Sequence, residues 1–336
     1  MAIRKMASVQ LIKEIAPHNN ADTLEIAKVL GWNVIVKKGE FKAGDQCVYC
    51  EVDSILPERP EFEFLRNKQF RVKTIRLRGV VSQGLCLPTS VLPISIITES
   101  GSAVEGFDVT EALGIIKYEV PIPACLSGQI KGMRPSFVPK TDETRIQVAP
   151  DVLDRYKGMM FYMTEKVDGS SGSYYWNEGD FGVCSRKLDI KEDDKNSFWS
   201  IARKYDIKTK LEKYGRNIVI QGELLGPGVQ KNKYKLKEHD LLVFNVYDID
   251  KSQYVDFKEL GKIVYDLGLY AVPYIGLLKL DHSVEELVEL AKGQSRLYET
   301  KREGVVFRPL QESRDDELGR LSFKVINPEF LLKHDE

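Results

Sequence analysis

A lysine in an unusual setting is the first feature of this 336-residue sequence that points to chemistry. Lys166 lies in TEKVDGSSGSYYW (residues 164–176), among residues typical of strand and turn, with Asp168 and Gly169 close behind it. An unprotonated lysine amine is a nucleophile that attacks phosphorus, and a glycine allows close approach of backbone and ligand. Since lysine is normally protonated, such a nucleophile needs a metal ion or a second lysine nearby to depress its pKa. Taken alone, these residues are more typical of an exposed turn.

Charged residues at strand ends supply further candidates. Glu223 ends the apolar strand in IQGELLG, and Glu303 begins the strand in REGVVFRP. Lys324 lies inside LSFKVIN, where a charge between two apolar neighbours is costly unless it is paired. Two aromatic residues in VFNVYDI, Phe244 and Tyr247, offer flat surfaces for a nucleobase, although such residues most often belong to a core. Arg186 follows a strand in CSRKLD.

The elements that must position these residues fall into two parts. The first third of the chain holds short β-branched or alternating runs, which predict a small β-barrel or sandwich: SVQLIKEI, TLEIAKVL, WNVIVKKG, QCVYCEV, FRVKTIRLRG and GLCLP. The proline-containing segment 121–150 has no helical period and indicates a boundary. Beyond it, helical spacing in 197–214, 256–269 and 283–300 alternates irregularly with strands, including a hairpin around 177–180. This mixture predicts an α+β domain with antiparallel sheets.

Composition sets limits on the class of protein. Hydrophobic residues make up 43% and charged residues 29%, which is typical of a globular protein of about two domains. With a net charge of −1, a nucleic-acid partner would require a local basic stripe. We find neither a signal-peptide pattern nor a run of about 20 apolar residues, so no membrane segment is expected. The five scattered cysteines fit a reducing, cytoplasmic location. Cys47 and Cys50 lie three positions apart on a predicted strand, so their side chains should point to opposite faces. We therefore expect core thiols rather than a redox or metal pair.

Six motifs follow one another along the chain: the lysine motif, Arg186, GELLG, the aromatic strand, the Glu303 strand and the Lys324 strand. This ordered set resembles that of the covalent nucleotidyltransferase superfamily, which contains polynucleotide ligases and mRNA capping enzymes. GELLGPGVQKNKY is similar to the ATP-dependent RNA ligases. FKAGDQCVYCEVDSILP is similar to the N-terminal OB domain of a branch that seals nicks in duplexes with an RNA 3′-OH strand. The resemblance implies an OB-fold β-barrel domain over 1–120, a linker over 121–140 and an adenylyltransferase domain over 141–336.

The resemblance also implies a reaction in three steps. Lys166 attacks the α-phosphate of ATP and forms a lysine–AMP phosphoramidate with release of pyrophosphate. AMP then passes to the 5′-phosphate of a broken RNA strand, and the 3′-OH displaces it to close the strand. Mg²⁺ or Mn²⁺ is the expected metal, because both prefer hard oxygen ligands.

By the same resemblance, each motif residue has an expected role. The predicted metal residues are Asp168, Glu223 and Glu303, partly through water. Lys324 would grip the α-phosphate and keep Lys166 neutral by like-charge repulsion. Further nucleotide contacts are expected from Glu165, Gly169, Arg186 (phosphate or ribose), Phe244 in preference to Tyr247 (adenine), and Arg145 and Gln147. Many relatives have Lys-x-Lys in the last motif, whereas this chain has Ile326 at the second position, so Arg308 or Lys333 would have to supply that cation.

The first domain is expected to contact RNA or a nicked RNA-containing duplex. Its candidate phosphate-contacting residues are Lys73, Arg76 and Arg78, with Lys37, Lys38 and Lys42 nearby. Arg76 and Arg78 alternate with Leu77 and so should share one side of a strand; a solvated strand face is the alternative. The protein is expected to be a monomer. Two rivals stay open: a capping-type guanylyltransferase, which would prefer GTP, and a catalytically silent RNA-end-binding protein.

Overall fold

A computed structural model describes residues 5–96, 103–118 and 130–334 of the chain. The residues group by their contacts into two units. One comprises Met1–Pro121, Arg145–Val152 and Pro328–Glu336, and the other comprises Ile122–Thr144 and Leu153–Asn327. The second unit carries every motif residue from Glu165 to Lys324. Among the described residues, no helix is long and apolar enough to span a membrane.

The first unit is β-rich, as predicted. Its strands are β1 (Ala7–Pro17), β2 (Leu24–Val29), β3 (Trp32–Lys37), β4 (Gln46–Cys50), β5 (Ser54–Ile55), β6 (Ile75–Leu77), β7 (Val80–Ser82), β8 (Leu85–Pro88) and β9 (Ile116–Lys117). Five of them form one sheet in the order β3-β2-β1-β4-β8. The two faces of β4 bury separate clusters, with Cys47 beside Trp32 on one face and Cys50 beside Met6 on the other. The prediction that these two thiols point in opposite directions is confirmed.

Short 3₁₀ turns connect the remaining elements of the chain. They span Pro60–Lys68, Thr89–Val91, Ile94–Ile96, Ile146–Val148 and Gln230–Asn232. The predicted boundary segment falls partly outside the described residues, including Pro121, Pro123 and Cys125. The described cysteines, Cys47, Cys50, Cys86 and Cys184, are buried free thiols.

The second unit is built mainly from two antiparallel sheets. The strands that follow in the chain are β10 (Ile130–Met133), β11 (Thr144–Arg145), β12 (Met160–Lys166), β13 (Ser170–Asn177), β14 (Asp180–Ser185), β15 (Leu188–Ile190), β16 (Ile218–Leu225), β17 (Asp240–Asp248), β18 (Gln253–Tyr254), β19 (Tyr270–Ala271), β20 (Tyr274–Lys279), β21 (Gly304–Pro309), β22 (Arg314–Asp315), β23 (Gly319–Arg320) and β24 (Phe323–Ile326). The larger sheet runs β10-β15-β14-β13-β16-β17-β18, with β19 parallel to β17. The smaller has β24-β21-β12-β20 in neighbouring positions.

Helices cover one face of the larger sheet. The described helices are α1 (Val152–Arg155), α2 (Ser197–Lys204), α3 (Ile207–Tyr214), α4 (Phe257–Asp266), α5 (Val284–Ala291) and α6 (Pro328–His334). Helices α2, α3 and α4 pack on β14, β13 and β17, and their apolar faces build the main core of the unit. The predicted hairpin is confirmed: Asn177 pairs with Asp180 across a turn in which Glu178 and Gly179 have φ of 50° and 87°.

Candidate active site

Lys166 is the last residue of β12, which lies between β20 and β21 in the smaller sheet. In the ladder with β21 it stands opposite Gly304. A Cβ on Gly304 would lie 2.3 Å from the Val325 carbonyl oxygen, so only glycine permits this close spacing of β21 and β24. Glu303 precedes that glycine and its Oε1 lies 2.6 Å from Lys166 Nζ. The two sequence-predicted residues therefore meet through strand register.

Asp168 and Gly169 carry the chain from β12 to β13, and so from the smaller sheet to the larger one. A Cβ on Gly169 would lie 2.4 Å from the Leu224 carbonyl oxygen and 2.9 Å from Glu223 Cγ. The glycine was expected to leave room for a ligand, but the space is filled by β16. Its backbone N–H donates a hydrogen bond to the Glu223 carboxylate. Gly169 thus brings Glu223 close to Asp168.

The three carboxylates strongly affect one another. Burial, together with the charges of Glu303 and Asp168, raises the pKa of Glu223 to about 8 against the opposing charge of Lys166. Burial and Glu303 also raise the pKa of Asp168 to about 6. Additional negative charge in this site is therefore poorly stabilised.

The electrostatics of Lys166 differ from the expectation that Lys324 keeps it neutral. Burial lowers the pKa of Lys166, but Glu303 and Glu223 oppose this effect and the net direction is upward. The carboxylates thus hold Lys166 as an ammonium in an ion pair with Glu303. For the amine to attack, the Glu303 carboxylate must first pair with another positive charge, so that Lys166 can lose its proton.

A divalent cation fits this arrangement. Glu303 Oε2 is buried and has no hydrogen-bond partner, and the surrounding carboxylates have raised pKa values. Within residues 5–96, 103–118 and 130–334, no three acidic, histidine or cysteine side chains are arranged to hold a metal directly. Asp168, Glu223 and Glu303 are therefore not arranged as a preformed three-ligand site in the part of the chain that the structure describes.

Strand register also places Lys324 and Glu165. Lys324 is opposite Val306 on β21, which is opposite Thr164 on β12, so Lys324 and Lys166 lie on the same face of the smaller sheet. Glu165 faces the other way. It is 1% exposed, and its Oε2 accepts a hydrogen bond of 2.9 Å from the Arg296 backbone N–H. Burial raises the pKa of Glu165.

The aromatic candidates separate into different clusters. Phe244 packs against a cluster that contains Val167, the residue after Lys166, and Tyr234. Tyr247 packs against a different cluster and makes an edge contact with Tyr254 at 5.1 Å between ring centroids. The position of Phe244 beside the lysine motif is consistent with the preference expressed above.

Two further candidates, Arg186 and Arg308, have contacts of their own. Arg186 is half exposed and ion-paired with Asp142. Arg308 is 2% exposed and donates hydrogen bonds to Glu143 at 2.8 Å, Ser322 at 3.2 Å and the Phe244 carbonyl at 3.1 Å. With its guanidinium held in this way, Arg308 is a poor substitute for the missing second lysine.

Three candidates outside the motifs belong to the first unit. Arg145 lies 3.9 Å from Asp53, and the Gln147 carbonyl accepts a hydrogen bond of 2.9 Å from Gly31 N–H. Lys333 is exposed on α6. These contacts supply no argument for a role at the nucleotide.

The basic residues of the first unit are arranged differently from the expectation. β6 ends at Leu77, and Arg78 forms the tight turn to β7 with a φ of 45°. Arg76 and Arg78 are exposed, but the prediction that they alternate along one strand is wrong. Arg76 folds onto the turn and donates a hydrogen bond to the Gly79 carbonyl at 3.1 Å. Lys73 precedes the strand and is half-buried.

Two residues that the sequence reasoning missed complete the site. Lys233 Nζ lies 2.5 Å from Asp168 Oδ2, and the Tyr234 hydroxyl accepts a hydrogen bond of 2.9 Å from the Asp168 backbone N–H. Both come from VQKNKYKLK, between β16 and β17. The sequence shows that this segment is rich in lysine. The spacing of the lysines does not predict which carboxylate each of them contacts.

Both parts of the chain are similar to known proteins. A sequence model of the RNA ligase family matches residues 159–326, and one of an OB-fold domain matches residues 6–89. The structure of Naegleria gruberi RNA ligase with PPi superposes with a TM-score of 0.89 at 38% identity, covering 99% of both chains. A variant of that ligase with ATP and Mn superposes with a TM-score of 0.88 at 38% identity, covering 100% of this chain and 99% of that one. No curated protein matched the chain.

Proposed function

The chain belongs to the RNA ligase family, and we propose that it is an ATP-dependent RNA ligase that joins 3′-OH and 5′-phosphate ends at nicks whose 3′-OH strand is RNA. Its fold, an N-terminal OB domain followed by a nucleotidyltransferase-like domain, is that of the Naegleria enzyme. The observation that carries the proposal is Lys166 Nζ, 2.6 Å from Glu303, in a site shared with Asp168 and Glu223.

The chain's own residues supply the chemistry of the first step. Lys166 is the nucleophile toward the α-phosphate of ATP: a P–N bond forms, the bond to pyrophosphate breaks, and the ammonium proton must leave before attack. Lys324, on the same sheet face as Lys166, is proposed to hold the α-phosphate. Phe244 is proposed to stack on adenine, and Arg186 to contact phosphate or ribose after releasing Asp142.

A divalent metal is part of the proposal, because variants of the Naegleria enzyme are known with ATP and Mn and with AMP and Mn. Asp168, Glu223 and Glu303 would hold Mg²⁺ or Mn²⁺, which would neutralise phosphate charge during transfer. Their own role is to accept that cation and release Lys166 from its ion pair. Glu165 and Gly169 contribute by fixing the backbone on either side of the nucleophile.

The later steps concern the nucleic acid. AMP passes from Lys166 to the RNA 5′-phosphate, and the 3′-OH displaces AMP as the phosphodiester forms. The first unit is proposed to contact the duplex through Lys73, Arg76 and Arg78, as an OB fold with exposed cations is suited to do. We further propose that the protein acts as a monomer in the cytoplasm, where its four described free thiols stay reduced.

Sealing of nicked duplexes tests the proposal. Wild-type protein with ATP and Mn²⁺ should seal a nick with an RNA 3′-OH strand and a labelled 5′-phosphate, and should seal an all-DNA nick much more slowly. Lys166→Ala should seal neither from ATP, yet should still close a strand that already carries a 5′-AMP cap. Equal sealing of both nicks would contradict the proposed RNA preference. Failure on every nick, despite a lysine–AMP adduct, would contradict the proposed substrate class.

A further inference from the structure

The segment that brings Lys233 to the site has an uncommon backbone. Gln230, Lys231 and Asn232 have φ of 42°, 58° and 46°, so three consecutive non-glycine residues are in the left-handed region. Side chains with a Cβ seldom adopt this conformation, which is costly and persists only where the surroundings enforce it. The segment joins β16, which carries Glu223, to β17.

Side-chain contacts hold this segment in place. Asn232 holds the segment that follows it in the sequence. Its Nδ2 donates a hydrogen bond to the Leu236 carbonyl at 2.8 Å, and its Oδ1 accepts one from Leu236 N–H at 3.0 Å. Tyr234 is 4% exposed, packs beside Val167 and accepts the Asp168 N–H. Lys233 lies between these two anchors, so its direction is fixed by the backbone.

The position of Lys233 has a direct electrostatic consequence. Its side chain is 6% exposed and that of Asp168 is 10% exposed, and their charged atoms are 2.5 Å apart. Lys166 is paired with Glu303 in the same way. Two of the three proposed metal residues are therefore already neutralised by lysines. A divalent ion that enters must compete with both lysines for these carboxylates. An ammonium group that loses its carboxylate in this way stays buried without a counter-charge, which is costly.

We propose that Lys233 is a positioning residue that neutralises Asp168 before the nucleotide binds, so that the divalent ion enters together with the nucleotide rather than ahead of it. The inference rests on the proposed function. ATP brings several negative charges, which give the Lys233 ammonium a new partner when a metal takes Asp168. The strained, clamped segment keeps Lys233 within reach of both partners. Removal of its charge should therefore allow the metal to bind on its own.

Direct binding of Mn²⁺ in the absence of nucleotide tests this inference. Protein is first treated with pyrophosphate to remove any bound AMP, and free Mn²⁺ is then measured by electron paramagnetic resonance. We expect Lys233→Met to bind Mn²⁺ at least about tenfold more tightly than wild type, because a buried positive charge beside Asp168 is gone. Lys233→Arg should bind as weakly as wild type. Lys231→Met, which removes an exposed charge from the same segment, is the matched control and should change nothing.

Two results would overturn the inference: tight Mn²⁺ binding by nucleotide-free wild type, or unchanged or weaker binding by Lys233→Met. Weaker binding would mean that Lys233 only fixes the geometry of Asp168. Thermal unfolding verifies that each variant is folded, and Lys233→Gln replaces Lys233→Met if the latter is not. Wild-type lysine–AMP formation is measured in parallel. Its absence would contradict the proposed function, whereas its presence with unchanged Mn²⁺ affinity would contradict this inference alone.

Discussion

At the scale of the residue, the site is a set of buried charges that oppose one another. Burial and neighbouring carboxylates raise the pKa of Glu223 and of Asp168, while Glu303 helps to hold Lys166 charged. Such a site is unfavourable for stability, in line with the common conflict between stability and activity at functional sites.

A pH dependence of stability follows from Glu223. Its pKa rises from 4.5 to about 8 on folding, so between these values the folded protein retains a proton that the unfolded chain releases. In metal-free buffer, stability should therefore fall as pH rises from 5 to 8. Thermal unfolding across this range measures it, and Glu223→Gln should flatten the slope and be the more stable protein at pH 8. Glu212→Gln, exposed on α3, should keep the wild-type slope; a flat wild-type profile would contradict the account.

Sequence reasoning named candidate site residues through their type and order along the chain and the resemblance that this order carries. It placed Lys166, Asp168, Glu223 and Glu303 in one site, and the structure brings them together. It did not find Lys233 or the upward shift of the Lys166 pKa. Both depend on which side chains meet across distant segments, and spacing along the chain does not encode such meetings.

At the scale of the element, glycines set the close strand spacing that positions the site. Gly169→Ala should force β13 away from β16, since its Cβ would lie 2.4 Å from the Leu224 carbonyl. We expect a loss of about 1–3 kcal/mol in the free energy of unfolding, measured by urea denaturation, and much weaker lysine–AMP formation. Gly132→Ala, where a Cβ would meet nothing within 4 Å, is the control and should behave as wild type. Equal stability of the two variants would contradict the proposed clash between a Cβ at position 169 and β16.

A buried ion pair links elements of the second unit beside the site. Arg308 on β21 bonds Glu143 and the Phe244 carbonyl of β17. Arg308→Met removes the nearer cation of the buried Glu143 carboxylate and leaves only Arg320, 3.9 Å away, so it should cost about 3–5 kcal/mol in the free energy of unfolding. Chemical denaturation measures the loss. Arg203→Met, at a 39% exposed surface position, should change stability by less than about 0.5 kcal/mol. A similar small change for Arg308→Met would show that the pair contributes little.

Element boundaries were less predictable than element types. Helical spacing extended over 283–300, but α5 ends at Ala291, where the Arg302 guanidinium donates hydrogen bonds to the carbonyls of Leu290, Ala291 and Lys292. This cap comes from eleven residues beyond the helix end, so local pattern could not reveal it. The run FRVKTIRLRG likewise yields only the three-residue β6.

At the scale of the whole molecule, we propose that the first unit contacts the nucleic acid and that the second unit forms the lysine–AMP intermediate. If the first unit contacts only nucleic acid, Arg76→Ala with Arg78→Ala should weaken nick sealing several-fold and reduce its salt dependence, because phosphate contacts release counterions. Lysine–AMP formation should be unchanged. Gel-based sealing and intact mass measure the two activities, and Lys262→Ala on α4 is the control for loss of a surface charge. Loss of both activities would contradict the division.

The predicted linear domains, 1–120 and 141–336, differ from the grouping by contacts, which returns Arg145–Val152 and Pro328–Glu336 to the first unit. Composition and proline content mark where a chain leaves a domain. They do not mark where a later segment comes back, because that depends on packing between residues far apart in sequence.

The most direct test of the central claim is the intact mass of the protein after pyrophosphate treatment and incubation with Mn²⁺ and either ATP or GTP. We expect a gain of one AMP from ATP, no gain from GTP, and no gain in Lys166→Ala. A GMP adduct would indicate a capping-type guanylyltransferase instead. No adduct with either nucleotide, or an AMP adduct that persists in Lys166→Ala, would contradict the assignment of Lys166 as the nucleophile.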